Sequence, residues 1–262
     1  MSLETLRYNV ENGIATITIN RPDSANAMSP VMARELSEVT LESDVNPEVR
    51  AILITGSGKM FCAGGDLGIF ADAGGGAKGL IQRMATDLHV ALSRLARTDA
   101  PVIAAVNGTA AGAGFSLSMA ADIAIAADTA LFTMAYTNAG LSPDGGSTYF
   151  MPRKLGDRRT RELMLTNRLL TAEEAQDWGV VNQVVPADDL IDIAYKQALK
   201  FAEGPTRAFG ATKSLLNRSY ETSLEAQMEL ESRSIAELVA TDDGQEGIKA
   251  FLAKRKPTFK GC

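Results

Sequence analysis

Two glycine-rich segments hold the backbone best suited to chemistry. FCAGGDL (Phe61–Leu67) and NGTAAGAGFS (Asn107–Ser116) each follow an apolar run that predicts a buried strand, Ala51–Thr55 and Val102–Val106. Glycine lets backbone N–H groups approach a ligand closely. The second segment opens into a helical pattern, and a helix start adds unpaired N–H groups and the positive end of a dipole. Two such elements converging would form a main-chain pocket for a negatively charged oxygen, an oxyanion hole. Asp144 stands in SPDGGS, and Pro-Asp-Gly is a common turn tripeptide, so residue type alone leaves its role open.

The remaining side chains narrow the chemistry. His89 is the single histidine, placed on a helical stretch with Ile81, Met84, Leu88, Leu92 and Leu95 at helical spacing. A lone histidine there reads as a surface or packing residue, and no G-x-S-x-G elbow accompanies it. Cys62 and Cys262 are the only cysteines. They offer no disulfide framework and no zinc spacing, so no metal is expected. Cys62 reads as a small packing residue, Asp66 as a brace for the first glycine loop, and Asp122 as a cap for backbone groups.

The elements that must position these groups are legible in outline. Gly13–Ile19 alternates as a strand. Ser29 and Pro30 start a helix running to about Ser43. ADAGGGAKG (Ala71–Gly79) reads as a flexible loop, followed by a long helix to Thr98. Gly112–Ala120 reads as a short helix, with strands at Ile123–Ala126, Leu131–Thr133 and Val180–Val185. Thr171 and Glu174 fit a capping box. Helical spacing then runs through 190–200, 205–220, 223–240 and 242–255. The reading is an α/β core over residues 1–200 and a helical C-terminal region over 201–262.

The bulk numbers agree. The 262 residues are 45% hydrophobic and 22% charged, ordinary for a globular chain. A net charge of −6 disfavours nucleic acid as a partner. No segment approaches a membrane span, and the N-terminal stretch lacks a signal-peptide pattern, so a cytoplasmic protein is expected.

Six ordered segments resemble the crotonase superfamily, the enoyl-CoA hydratase/isomerase family. They are Asn20–Met28, Gly56–Leu67, Asn107–Ile123, Gly140–Gly156, Leu170–Val185 and the tail Phe251–Gly261. The resemblance implies a spiral of ββα units with a helical C-terminal region that packs homotrimers or dimers of trimers. It implies an acyl-CoA thioester as substrate, with coenzyme A part of that substrate and no separate cofactor. By motif position, the amides that hold the thioester enolate would be those of Gly65 and Ala113.

The family's hydratases use two glutamates, and the matching positions here are Ser116 and Tyr136. Asp144 instead matches the acid of Δ3,Δ2-enoyl-CoA isomerases and of 2-(1,2-epoxy-1,2-dihydrophenyl)acetyl-CoA isomerases. The reading is therefore an enoyl-CoA isomerase with Asp144 as proton shuttle. The alternatives are a hydratase, a hydrolase or dehalogenase with Asp144 as nucleophile, and a non-catalytic acyl-CoA-binding member. The resemblance also implies coenzyme A contacts at Ala25, Ala27, Ala63 and Phe259. Lys59, with Lys256 or Lys260, would meet the phosphates. Asp23 stands where the family often has a basic residue.

Overall fold

A computed structural model describes residues 2–262. The chain opens with a hairpin, β1 (Leu6–Glu11) and β2 (Ile14–Ile19), turned by Asn12 and Gly13, both at positive φ. This suits a tight turn whose central residues are left-handed. α1 (Pro30–Val45) starts where the Ser29 side chain accepts from the Met32 amide at 3.1 Å, with Pro30 at the first helical position.

A repeating unit follows. β3 (Ala51–Gly56) leads to β4 (Met60–Cys62), then α2 (Leu67–Asp72) and α3 (Ala77–Arg97). β5 (Val102–Val106) leads to β6 (Thr109–Ala111) and α4 (Ala113–Ala120). β7 (Ile123–Ala127) and β8 (Leu131–Thr133) start the third turn, which continues into α5 (Ser147–Leu155) and α6 (Asp157–Thr166). β9 (Leu170–Thr171), α7 (Ala172–Trp178) and β10 (Gln183–Val185) complete the sheets.

Each turn of this ββα spiral contributes one strand to each of two sheets. The larger runs β1-β2-β3-β5-β7-β10 and the smaller β4-β6-β8-β9. Apart from the β1–β2 and β8–β9 pairs, all strands are parallel. β5 is buried at every position, as a strand covered on both faces must be. The spiral is the crotonase fold expected from the sequence.

α8 (Leu190–Ala202) packs on β3, β5 and β7, so it continues the core past residue 200. α9 (Thr206–Arg218), α10 (Leu224–Val239) and α11 (Asp242–Leu252) form the helical C-terminal part. Lys213 of α9 fixes it to the core. Its buried amine donates to the Leu95 and Ala100 carbonyls, each at 3.1 Å, and pairs with Asp122 at 2.7 Å.

Two local expectations change. The stretch expected as a flexible loop is mostly helical, with α2, a 3-10 turn at Gly74–Gly76 and the start of α3. The Asp66 side chain accepts from the Ile69 amide and so starts α2. β1 and α5 were not anticipated from pattern, because β1 is an edge strand and α5 carries Pro152 within it.

Candidate active site

The first glycine loop is held by backbone pairing with the turn before α1. Met28 N–H donates to Gly64 O at 2.7 Å, and Asp66 N–H donates to Met28 O at 3.0 Å. In extended backbone, successive N–H groups point to opposite sides. Gly64 and Asp66 therefore spend their polar groups on Met28, and the Gly65 N–H faces the other way. Arg21 braces the loop, pairing with Asp66 at 3.1 Å and donating to Ala27 O. Ala63 N–H donates to Ala25 O at 3.1 Å. Ala25, Ala27, Ala63 and Gly65 thus belong to one connected backbone cluster. Lys59 is exposed on the preceding β3–β4 turn.

The second segment meets the first backbone to backbone. A Cβ on Gly64 would lie 3.0 Å from Ala111 O and 3.4 Å from Gly112 Cα. Gly112 has φ +49°, which L side chains rarely adopt, and it turns the chain from β6 into α4. Ala113 is the first residue of α4, so its N–H has no intrahelical acceptor. Among the described residues, neither the Gly65 nor the Ala113 amide donates a hydrogen bond. All eight residues of α4 are buried, and at its C-terminal end the Lys154 amine donates to Met119 O at 2.7 Å and Ala121 O at 2.8 Å. Burial holds the Lys154 pKa below its ordinary value, against the opposing pull of Asp122.

Asp144 lies beside α4 because Gly145 and Gly146 are both left-handed. A Cβ on Gly145 would lie 2.8 Å from the Ser116 Cβ. The Asp144 carbonyl accepts from Ser116 Oγ at 3.1 Å, Ser147 Oγ at 2.9 Å and Ser147 N at 3.2 Å. Its carboxylate faces Tyr136, whose hydroxyl donates to Oδ1 at 2.5 Å. Burial, then the Asp144 charge, pushes the Tyr136 pKa far up, so the phenol stays protonated.

The carboxylate's other oxygen faces an unexpected neighbour. His89 Nε2 lies 4.0 Å from Asp144 Oδ2 and accepts the Gly145 N–H at 3.2 Å. That bond puts the ring proton on Nδ1. The sequence reading made His89 a surface or packing residue; the fold places it beside the acid. The available signal was its position next to Leu88 and three before Leu92, at the edge of the buried stripe of α3.

His89 and Asp144 both line a cavity of about 910 Å³ between α3, α5 and α9, whose wall includes Leu92, Tyr149 and Asn217. Phe259 lines a separate cavity with Gly13 and Arg50, and the Lys260 amide donates to Asp243 at 2.7 Å. Lys256 pairs with Glu203 at 3.1 Å. The expected tail residues are therefore not brought to the Asp144 cavity of their own chain. Among the described residues no cluster of His, Cys, Asp and Glu could hold a metal ion, and no helix is long and apolar enough to cross a membrane.

Comparison with known proteins agrees with this architecture. Residues 9–262 match the model of a family described as "Enoyl-CoA hydratase/isomerase". The chain is 40% identical to a "Probable enoyl-CoA hydratase" of Rhodobacter capsulatus, over 100% of both chains. It is 39% identical to the 1,2-epoxyphenylacetyl-CoA isomerase of Escherichia coli, over 99% of both. The crystal structure of an enoyl-CoA hydratase from Polaromonas sp. JS666 superposes with a TM-score of 0.92 at 33% identity, covering 97% of this chain and 99% of that one.

Proposed function

The chain belongs to the enoyl-CoA hydratase/isomerase family of acyl-CoA enzymes, and we propose that within it this protein is an enoyl-CoA isomerase that uses Asp144 as its only proton carrier. The observation that supports this most is that the two glycine segments meet with the Gly65 and Ala113 amides unpartnered, while Asp144 packs on Ser116 of the helix that Ala113 begins. The Gly65 and Ala113 N–H groups would donate to the thioester oxygen. Preorganised donors of this kind each contribute roughly 3–4 kcal/mol when charge develops there.

Asp144 then removes the C2 proton of a 3-enoyl thioester. The C–H electrons form a dienolate whose negative oxygen rests on the two amides. The same carboxyl returns the proton to C4, the C2–C3 double bond forms, and the carbonyl is restored. One acid suffices because removal and return occur in sequence. Hydration would need a second group to manage water, and Ser116 and Tyr136 stand where the family's hydratases carry glutamates. Isomerisation also fits the E. coli relative named as an isomerase.

Backbone at Ala25, Ala27 and Ala63 would border the pantetheine, with Lys59 free for a phosphate. Phe259 and Lys260 would meet the nucleotide only from a neighbouring copy, which is consistent with a trimer. Leu224, Met228, Ile235 and Val239 are all exposed on α10, which buries no residue of its own, and this supports such an assembly. A compartment without disulfides, the cytoplasm, fits both free cysteines.

The test is conversion of 3-hexenoyl-CoA in D2O, read by mass spectrometry for product and for deuterium at C2. Asp144→Asn is expected to lose about 10²–10⁴-fold in rate. Full retained activity would remove Asp144 from the mechanism. Binding without exchange in the unmodified protein would instead indicate a non-catalytic member.

His89 favours a second reading. An imidazole beside a carboxylate, once its Nε2 is released from the Gly145 N–H, could take a proton from water attacking an acyl- or aryl-aspartyl ester, as a hydrolase or dehalogenase with Asp144 as nucleophile requires. A trapped adduct on Asp144 would establish that route over isomerisation.

A further inference from the structure

We infer that Tyr136 is a positioning residue for Asp144, holding Oδ1 so that Oδ2 alone carries the shuttled proton. The inference rests on the isomerase reading of the site.

Three observations carry it. The Tyr136 hydroxyl donates to Oδ1 at 2.5 Å, so that oxygen is occupied. Oδ2 has no donor within hydrogen-bond reach and faces His89 Nε2 at 4.0 Å. The tyrosine ring packs partly buried against the hydrophobic core, and its hydroxyl also contacts Ser116 Oγ at 3.3 Å. The phenol is therefore fixed from two sides before any substrate arrives. The three donors on the Asp144 carbonyl fix the main chain, but only Tyr136 fixes the rotation of the carboxylate.

A shuttle gains from this arrangement. The proton leaves C2 for Oδ2 and returns from Oδ2 to C4, so one oxygen must reach both carbons in turn. A freely rotating carboxyl would present its protonated oxygen in the wrong direction for part of each cycle. Tyr136 makes no proton transfer of its own in this scheme.

Tyr136→Phe removes the donor and keeps the ring. The experiment measures kcat and KM on 3-hexenoyl-CoA for the unmodified protein, Tyr136→Phe and Asp144→Asn, with a thermal melt of each.

The expected result for Tyr136→Phe is a fall in kcat of about 10–100-fold, the range seen when a reacting group is misplaced. KM should stay within about twofold. Unchanged kcat, with Asp144→Asn inactive, would overturn the inference and leave the isomerase reading standing. A lowered melting temperature and raised KM with kcat unchanged would assign Tyr136 to packing, and would overturn it too. Full activity in Asp144→Asn would overturn both.

Discussion

Gly114 packs directly on the main chain of Cys62: a Cβ at Gly114 would lie 2.3 Å from the Cys62 carbonyl oxygen and 2.6 Å from its Cβ. These two residues join α4 to the strand that leads into the Gly65 loop. Their contact fixes how far the two unpartnered amides can stand apart.

Gly114→Ala should therefore push the two segments away from each other. Overpacking of this kind costs about 1–3 kcal/mol, and backbone oxygen cannot yield as a side chain can. A lower melting temperature together with reduced C2 deuterium exchange is expected. A variant with unchanged stability and exchange would show that the contact is not what spaces the loops.

Lys213→Met should loosen α9 from the end of α3. It leaves the Leu95 carbonyl, the Ala100 carbonyl and the Asp122 carboxylate without their shared donor. The cost is about 1–3 kcal/mol in urea unfolding. Because α9 forms one wall of the cavity beside Asp144, KM for an acyl-CoA should rise as well.

Glu35 makes stability depend on acid. It is buried in α1 and accepts from the Glu4 and Thr5 amides and the Thr5 hydroxyl. Burial alone would raise its pKa, but these donors together outweigh it and hold it below the ordinary carboxylate value. The folded state thus favours the charged form. Its contribution is present above the unfolded-state pKa and is lost as pH falls through the folded-state value. Glu35→Gln should lower stability at pH 7 by about 1–3 kcal/mol and flatten the acid side of the stability profile. An unaltered profile below pH 5 would count against this account.

The two cysteines should separate cleanly in alkylation. Burial pushes the Cys62 thiol up to about 11, while Cys262 is exposed. Iodoacetamide at pH 8 should add one group per folded chain and two after unfolding, counted by mass spectrometry. Two rapid additions to the folded protein would mean that the first glycine loop opens.

Local features of this protein were written in short stretches of sequence. The Ser29 cap, the Thr171–Glu174 capping box and the buried runs of β3 and β5 each depend on a few neighbouring residues and on backbone preferences. The glycine segments were equally legible, because close backbone approach leaves few alternatives to glycine. The ordered motifs also carried the family and its ββα spiral. The Ala71–Gly79 stretch reads as a loop because of its glycine run, yet the chain there holds the end of α2, a 3-10 turn and the start of α3. Composition cannot weigh the Asp66 cap and the packing that extend helix into it.

Tertiary structure alone decided what surrounds Asp144. His89 and Gly145 stand 56 residues apart and meet through one hydrogen bond, and Ser116 comes from a third segment, 28 residues before Asp144. No local preference encodes such a meeting. It arises because the spiral stacks α4 beside the Gly145–Gly146 turn and lays α3 across both, so that burying apolar faces brings an imidazole, a phenol and a carboxylate within a few ångströms of one another.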